Sequence, residues 1–164
     1  MIEDEITFRV LGEFHFTPTA EQRDAVSVFA SFLTDRDPHS VMVLRGSAGT
    51  GKTVLAGAIV KAMTGLGRKV MLLAPTGRAA KVFALNSGHE AFTIHRRIYR
   101  ERTFSGPGGS FNLNDNLYAD TLFIVDETSM ISNMVHESAV GSGRLLDDLI
   151  TYVYSGRNCK MLLV

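Results

Sequence analysis

This chain predicts an α/β fold, a parallel sheet with helices on both faces, and three observations lead there. Short apolar runs recur at residues 41–44, 69–74, 121–125 and 161–164. Strands covered on both faces read as continuous apolar runs, whereas half-exposed strands alternate. Stretches with helical periodicity lie between these runs, and strands alternating with helices build a parallel sheet. The third observation is the octapeptide Gly46-Ser47-Ala48-Gly49-Thr50-Gly51-Lys52-Thr53, which stands between the first apolar run and a helix. A glycine-rich turn from strand to helix points successive backbone N–H groups at an anion, and the helix N-terminus adds partial positive charge. In such a phosphate-binding loop (P-loop), Lys52 reaches the β- and γ-phosphates and the Thr53 hydroxyl takes one Mg²⁺ position.

The elements follow in order. In residues 1–16, Ile6, Phe8 and Val10 alternate with Thr7 and Arg9, which fits a short strand or an extended N-terminal arm ahead of a domain over 17–164. Thr19 is placed to cap a helix, and Gln22 sits three residues later, where a capping box has its Glu or Gln. Ala25, Val26, Phe29, Phe32 and Leu33 then recur at helical spacing, predicting a helix over about 20–34. A loop with Pro38 leads into the strand at 41–44. The phosphate-loop helix over 54–63 is ended by Gly65 and Gly67, and a second strand follows at 69–74. Pro75-Thr76-Gly77 turns the chain into a helix over about 78–86, closed by Asn86-Ser87-Gly88. Residues 93–99 read as one or two helical turns capped by Thr93 and carrying His95, Arg96 and Arg97. The Gly, Ser, Asn and Pro of 103–116 predict a loop or loose hairpin, of a length that in compact domains is functional or mobile. The strand at 121–125 runs straight into Asp126-Glu127, with a short helix near Ser129. A loop at Gly141 and Gly143, a helix over 145–154 and the last apolar run complete the chain.

The totals exclude several classes. Lys plus Arg and Asp plus Glu number 17 each, so net charge favours no polyanionic partner. Distribution is more telling: between 77 and 102, Arg78, Lys81, Arg96, Arg97, Arg100 and Arg102 face only Glu90 and Glu101. Such a segment is either a contact surface for phosphates or a solvated face. Cys159 is the single cysteine, which rules out an internal disulfide framework or cysteine metal site and suits a reducing, cytoplasmic setting. No apolar stretch reaches membrane-span length, and Glu3, Asp4 and Glu5 stand where a secretory signal carries bases, so no membrane association is expected.

In open parallel sheets ligands sit beyond the carboxyl ends of the strands, where both the phosphate loop and Asp126-Glu127 are placed. Adjacent carboxylates at the end of an apolar strand are costly to bury unpaired. In the catalytic reading Asp126 holds Mg²⁺ and Glu127 activates the attacking water. The alternative is a pair of acids that complement a helix dipole. No Asn-Lys-x-Asp tetrapeptide occurs, which argues against a guanine-specific switch.

Five stretches together resemble the RecD-like branch of superfamily 1 DNA helicases: Thr19-Ala20-Glu21-Gln22, the phosphate loop at 46–53, the segment 74–81 (Ala-Pro-Thr-Gly-Arg-Ala-Ala-Lys), Thr93-Ile94-His95, and the segment 125–130 (Val-Asp-Glu-Thr-Ser-Met). The likeness spans roughly 17–164. It implies a RecA-like domain using ATP and Mg²⁺ to move on single-stranded DNA in the 5′ to 3′ direction, in DNA repair or recombination and with repair or recombination proteins as partners. It implies that Gln22 binds the adenine edge, although a capping-box role competes. It likewise implies strand contacts by Thr76, Gly77 and Arg78, and by Thr93 and His95, for which an N-cap and a packing histidine are the plainer alternatives. In that family the strand matching 161–164 lies beside the phosphate-loop strand. A Gly-Asp-x-x-Gln motif and a second motor domain supplying arginine fingers follow it; neither occurs in this chain, so a truncated first motor domain, nearly inactive alone, is expected. A nucleotide-dependent regulatory module and a P-loop phosphotransferase are the competing function classes.

Overall fold

Alternation inside single strands sets the layers. In β6 (Thr121–Val125), Leu122 and Ile124 enter one apolar cluster while Phe123 and Val125 enter another. The first cluster is filled by α1 (Ile2–Gly12), α2 (Ala20–Thr34) and α3 (Lys52–Gly65), and by Phe83 of α4 (Gly77–Ser87). The second is filled by α5 (Ile94–Ile98) and α6 (Leu145–Ser155). Because side chains alternate along a strand, a sheet with a core on each side must be apolar at every position. All five residues of β6 are accordingly buried.

The computed structural model describes residues 1–46, 49, 51–101, 111–131 and 144–164. Expectations for Ser47, Ala48 and Thr50, for Arg102 and the glycines at 106–109, and for the Gly141 and Gly143 loop fall outside the described residues.

Five strands form the main sheet in the order β1-β7-β6-β2-β3. These are β1 (Val41–Val43), β7 (Lys160–Leu163), β6, β2 (Lys69–Ala74) and β3 (Ala91–Thr93), and every pairing is parallel. The expected α/β parallel sheet covered on both faces is thus observed. Strand β7 pairs with β1 through Met42↔Leu162 and with β6 through Ile124↔Leu162, which puts it beside the phosphate-loop strand. Its first residue, Lys160, is buried, and its Nζ donates to the carbonyls of Phe32 (2.6 Å) and Asp35 (2.7 Å). Carbonyls at a helix C-terminus lack intrahelical partners, so this cation closes the end of α2 while desolvation lowers its pKa.

The helices expected over 20–34, 54–63, 78–86 and 145–154 are present as α2, α3, α4 and α6. The reading of 1–16 as strand or extended arm is overturned: residues 2–12 are helical. Ile6 and Val10 are four apart and both buried, whereas Phe8 between them is exposed, so the apparent alternation was a helical face. Glu3, Asp4 and Glu5 complement the dipole in the first turn, and Glu5 pairs with Arg9 at 2.8 Å. Two further differences concern short strands. Strand β3 was not anticipated, and of the loop or loose hairpin expected at 103–116 the described part is a hairpin strand, β5 (Phe111–Leu113), antiparallel to β4 (Tyr99–Glu101). Three-residue strands leave little periodicity to read.

Two tyrosine hydroxyls tie elements together around the second core, Tyr99 joining the hairpin to α6 and Tyr154 joining α6 to the loop before β1. Tyr99 donates to Asp148 at 2.5 Å in a buried pair, and burial followed by the Asp148 bond and charge pushes its phenol well above 10. Tyr154 donates to the carbonyl of Ser40 at 2.7 Å, and burial pushes it up to about 12. A phenol whose pKa is raised on folding keeps a proton that the unfolded chain releases. Its contribution is therefore complete below pH 10 and is lost as pH rises towards about 12. Urea midpoints are expected to hold steady up to pH 10 and fall steeply above it, with Tyr99→Phe flattening part of that slope. An unchanged slope in Tyr99→Phe would remove the Tyr99–Asp148 pair from the account.

Candidate active site

Beyond the carboxyl ends of β1, β7 and β6 the chain leaves an open cleft of about 900 Å³. Its walls include Gly46, Gly49, Gly51, Lys52 and Thr53 from the phosphate loop, facing Asp126 and Glu127 from the end of β6. The backbone locks these strand ends together. Leu44 N–H donates to the Leu163 carbonyl at 2.7 Å, Val164 N–H to Val125 at 2.8 Å, and Thr128 N–H to Val164 at 3.0 Å. Two stretches more than seventy residues apart thus share one cavity through β7, which lies between them.

On the loop side, Gly49 (φ +82°) and Gly51 (φ +85°) occupy left-handed conformations that side chains rarely adopt. Gly51 is also the N-cap of α3, so the loop enters the helix with Lys52 and Thr53 as the first helical residues. The Lys52 side chain takes part in none of the hydrogen bonds or ion pairs among the described residues. On the opposite side, Asp126 is buried, and its Oδ1 accepts the Glu127 N–H at 2.8 Å. Glu127 is exposed with φ +54° and ψ +40°. A non-glycine residue held there costs of order 1–3 kcal/mol, and such strain concentrates at functional sites. Among the described residues a three-residue 3₁₀ turn (Thr128–Met130) follows directly. The donor set suits Mg²⁺, which is held by one or two carboxylates and a hydroxyl and completes its octahedron with water and phosphate oxygens. Among the described residues no group of three or more His, Cys, Asp or Glu gathers into a metal cage.

Gln22 stands behind the loop instead of lining the cleft. Its Oε1 accepts the Thr19 N–H at 2.9 Å while Thr19 Oγ1 accepts the Gln22 N–H at 3.2 Å, a complete capping box. Its Nε2 lies against Gly51, where an added Cβ would stand 2.7 Å away.

The remaining sequence-predicted residues lie on the same edge of the sheet but outside this cleft. Register pairs Ala74 with Thr93, so the segments at 76–78 and 93–95 leave adjacent strand ends. Thr76 Oγ1 caps α4 through the Ala79 N–H at 3.1 Å, and Thr93 Oγ1 caps α5 through the Arg96 N–H at 3.3 Å. Thr76, Gly77, Arg78 and His95 are exposed. His95 is nevertheless packed, its ring 5.5 Å from that of Tyr99, so the packing alternative stands beside the strand contact. Sequence reasoning missed Arg45, Thr128 and Ser129, which also line the cleft. Arg45 had a signal, a charge set between an apolar strand and the first loop glycine.

Comparison with known proteins agrees with this architecture. Residues 17–149 match the AAA domain family. An ATP-dependent RecD2 DNA helicase of Deinococcus radiodurans is 36% identical over 104 residues, covering 63% of this chain and 14% of that protein. The ATP-dependent DNA helicase dda of Enterobacteria phage T4 is 36% identical over 78 residues, covering 47% of this chain and 17% of that protein. The chain therefore spans less than a fifth of the length of either relative. The resemblance to RecD-like helicases read from the five motifs is borne out, and with most of its length matched, the chain belongs to the AAA domain family.

Proposed function

We propose that this chain binds ATP with Mg²⁺ and hydrolyses it as a motor domain, over 17–164, of an ATP-dependent 5′ to 3′ DNA helicase that moves on single-stranded DNA. The observation that carries the proposal is the single cleft in which the Lys52 loop faces Asp126 and Glu127. In this reading the loop amides, with Ser47, Ala48 and Thr50 among them, cradle the phosphates, and the Lys52 ammonium sits against the β- and γ-phosphates. Thr53 and Asp126 hold Mg²⁺, which when bound neutralises charge on the phosphate oxygens. Glu127 orients the attacking water and accepts its proton. Gln22, with Nε2 towards Gly51 and one Oε1 lone pair still open, is assigned to the adenine edge.

The adjacent strand ends at 76–78 and 93–95 supply the strand contact. Exposed Thr76, Gly77, Arg78 and His95, with Thr93 beside them, offer backbone amides, hydroxyl protons and a guanidinium, groups that hold phosphates without reading sequence. The names of both relatives, each a DNA helicase, support this partner. A place in repair or recombination and a cytoplasmic setting belong to the same proposal. The latter is supported by Cys159, a buried thiol raised in pKa by burial and suited to staying reduced. Among the described residues no helix is long and apolar enough to cross a membrane.

The test is steady-state ATP hydrolysis by the natural full-length protein with and without an oligo-dT strand. Strong stimulation by the strand is expected. Hydrolysis indifferent to DNA would transfer the reading to a nucleotide-dependent regulatory module, and phosphorylation of a small acceptor would transfer it to a phosphotransferase.

A further inference from the structure

Arg45 stands where an apolar strand opens into the cleft. Met42 of β1 is buried in the first core and Leu44 packs against that core. Alternation then puts Arg45 on the opposite face with Val43, which is exposed on this edge strand. Arg45 is itself exposed, its side chain takes part in no hydrogen bond or ion pair among the described residues, and it lines the cleft with Lys52, Asp126 and Glu127. Sheet register fixes its level. Val43 pairs with Leu163 and Leu163 with Val125, so two residues further on Arg45 and Glu127 stand level with each other, two strands apart. Two strand spacings are about 10 Å, which leaves room for a phosphate group between the two side chains. Lys52 enters the same space from the first residue of α3, on the side of the first core.

We propose that Arg45 is a further catalytic residue of this cleft, whose guanidinium holds the terminal phosphate of ATP from the β1 side and makes the site prefer a triphosphate to a diphosphate. The inference rests on the reading of the cleft as an ATP site. In that reading the loop amides and Lys52 surround the phosphates from the α3 side, Thr53 and Asp126 hold Mg²⁺, and Glu127 addresses the attacking water. Terminal-phosphate oxygens that face away from the loop are otherwise left to solvent. Arg45 comes from the edge of the sheet at the level of Glu127, so it meets the phosphate next to the attacking water, while the inner phosphates stay with the loop amides. A guanidinium suits this task. It stays charged at any working pH, and its planar fork matches two phosphate oxygens at once, whereas an ammonium is a point charge. Charge balance points the same way: Arg45 and Lys52 offset Asp126 and Glu127, two carboxylates in one cleft that repel a polyanion.

The experiment is equilibrium titration of the natural full-length protein with a fluorescent non-hydrolysable ATP analogue and with the matching ADP analogue, alongside single-turnover ATP hydrolysis. Wild type, Arg45→Ala, Arg45→Lys and Lys52→Ala are compared, with thermal midpoints as the folding control. Arg45→Ala is expected to weaken the triphosphate by about 10- to 100-fold, the range for a lost hydrogen bond to a charged group, and to leave the diphosphate within about twofold. Single-turnover hydrolysis should fall with it at an unchanged midpoint, and Arg45→Lys should recover part of both losses. Equal weakening of the two nucleotides by Arg45→Ala, or weakening of neither, would overturn the proposal, and the cleft reading stands in that case if Lys52→Ala still impairs binding. Wild type binding neither nucleotide would overturn both this proposal and the ATP-site reading beneath it.

Discussion

Replacing Lys52 by alanine is expected to lower ATP hydrolysis by the natural full-length protein by about 10² to 10³-fold or more, the loss typical of one preorganised charge stabiliser. The folded state should be unaffected. Lys52 is the first residue of α3, alanine is a better helix former there, and no native hydrogen bond or ion pair of the described residues is removed. The effect should appear in turnover and in affinity for a fluorescent ATP analogue, because in the proposed site the ammonium meets the phosphates in the ground state as well as at the transition state. Hydrolysis within about threefold of wild type, at an unchanged thermal midpoint, would dissolve the phosphate-loop assignment.

Glu127→Gln separates binding from chemistry. The substitution keeps the shape of the side chain and removes its basicity, so turnover should fall by about 10² to 10⁴-fold, the range for a lost general base. Affinity for the ATP analogue should stay near wild type. Two structural facts make the experiment clean. The bond from Glu127 N–H to Asp126 Oδ1 belongs to the backbone and survives, and the left-handed conformation at 127 is strained for glutamine and glutamate alike. Loss of nucleotide binding in place of turnover would make Glu127 a holder of metal or nucleotide. Single-turnover hydrolysis alongside equilibrium titration distinguishes the two outcomes.

Much of this site was legible because its parts are local. The Thr19/Gln22 capping box, the glycines at 49 and 51, and the carboxylate pair closing β6 are each defined by neighbours within a few residues. Hydrogen bonding and φ preference act at that range. The same chemistry had two readings at Gln22 and Thr93, since a cap and a ligand contact use the same atoms. In the structure both residues complete their caps, and the ligand roles rest on what else those atoms reach. Short-range periodicity also misled: Ile6, Phe8 and Val10 alternate, yet only the burial of Ile6 and Val10 against α2 and α3 selects helix over strand. Arg97 gave no signal of its packing among its basic neighbours, because Phe92 and Tyr118 reach it from other elements.

By itself, then, the sequence determined the α/β class, the helices α2, α3, α4 and α6, and the residue types of the phosphate loop and acid pair. Periodicity and backbone preference encode these within one element. Tertiary structure decided the full strand order β1-β7-β6-β2-β3, of which the family resemblance implied β7 beside β1, together with the helical state of residues 2–12 and the three-residue strands. It also decided that Lys52 and Asp126, seventy-four positions apart, open on one cleft. Parallel strands are joined through long crossovers, and which edges meet depends on which apolar faces bury each other, a property of the whole sheet that no window of the chain contains.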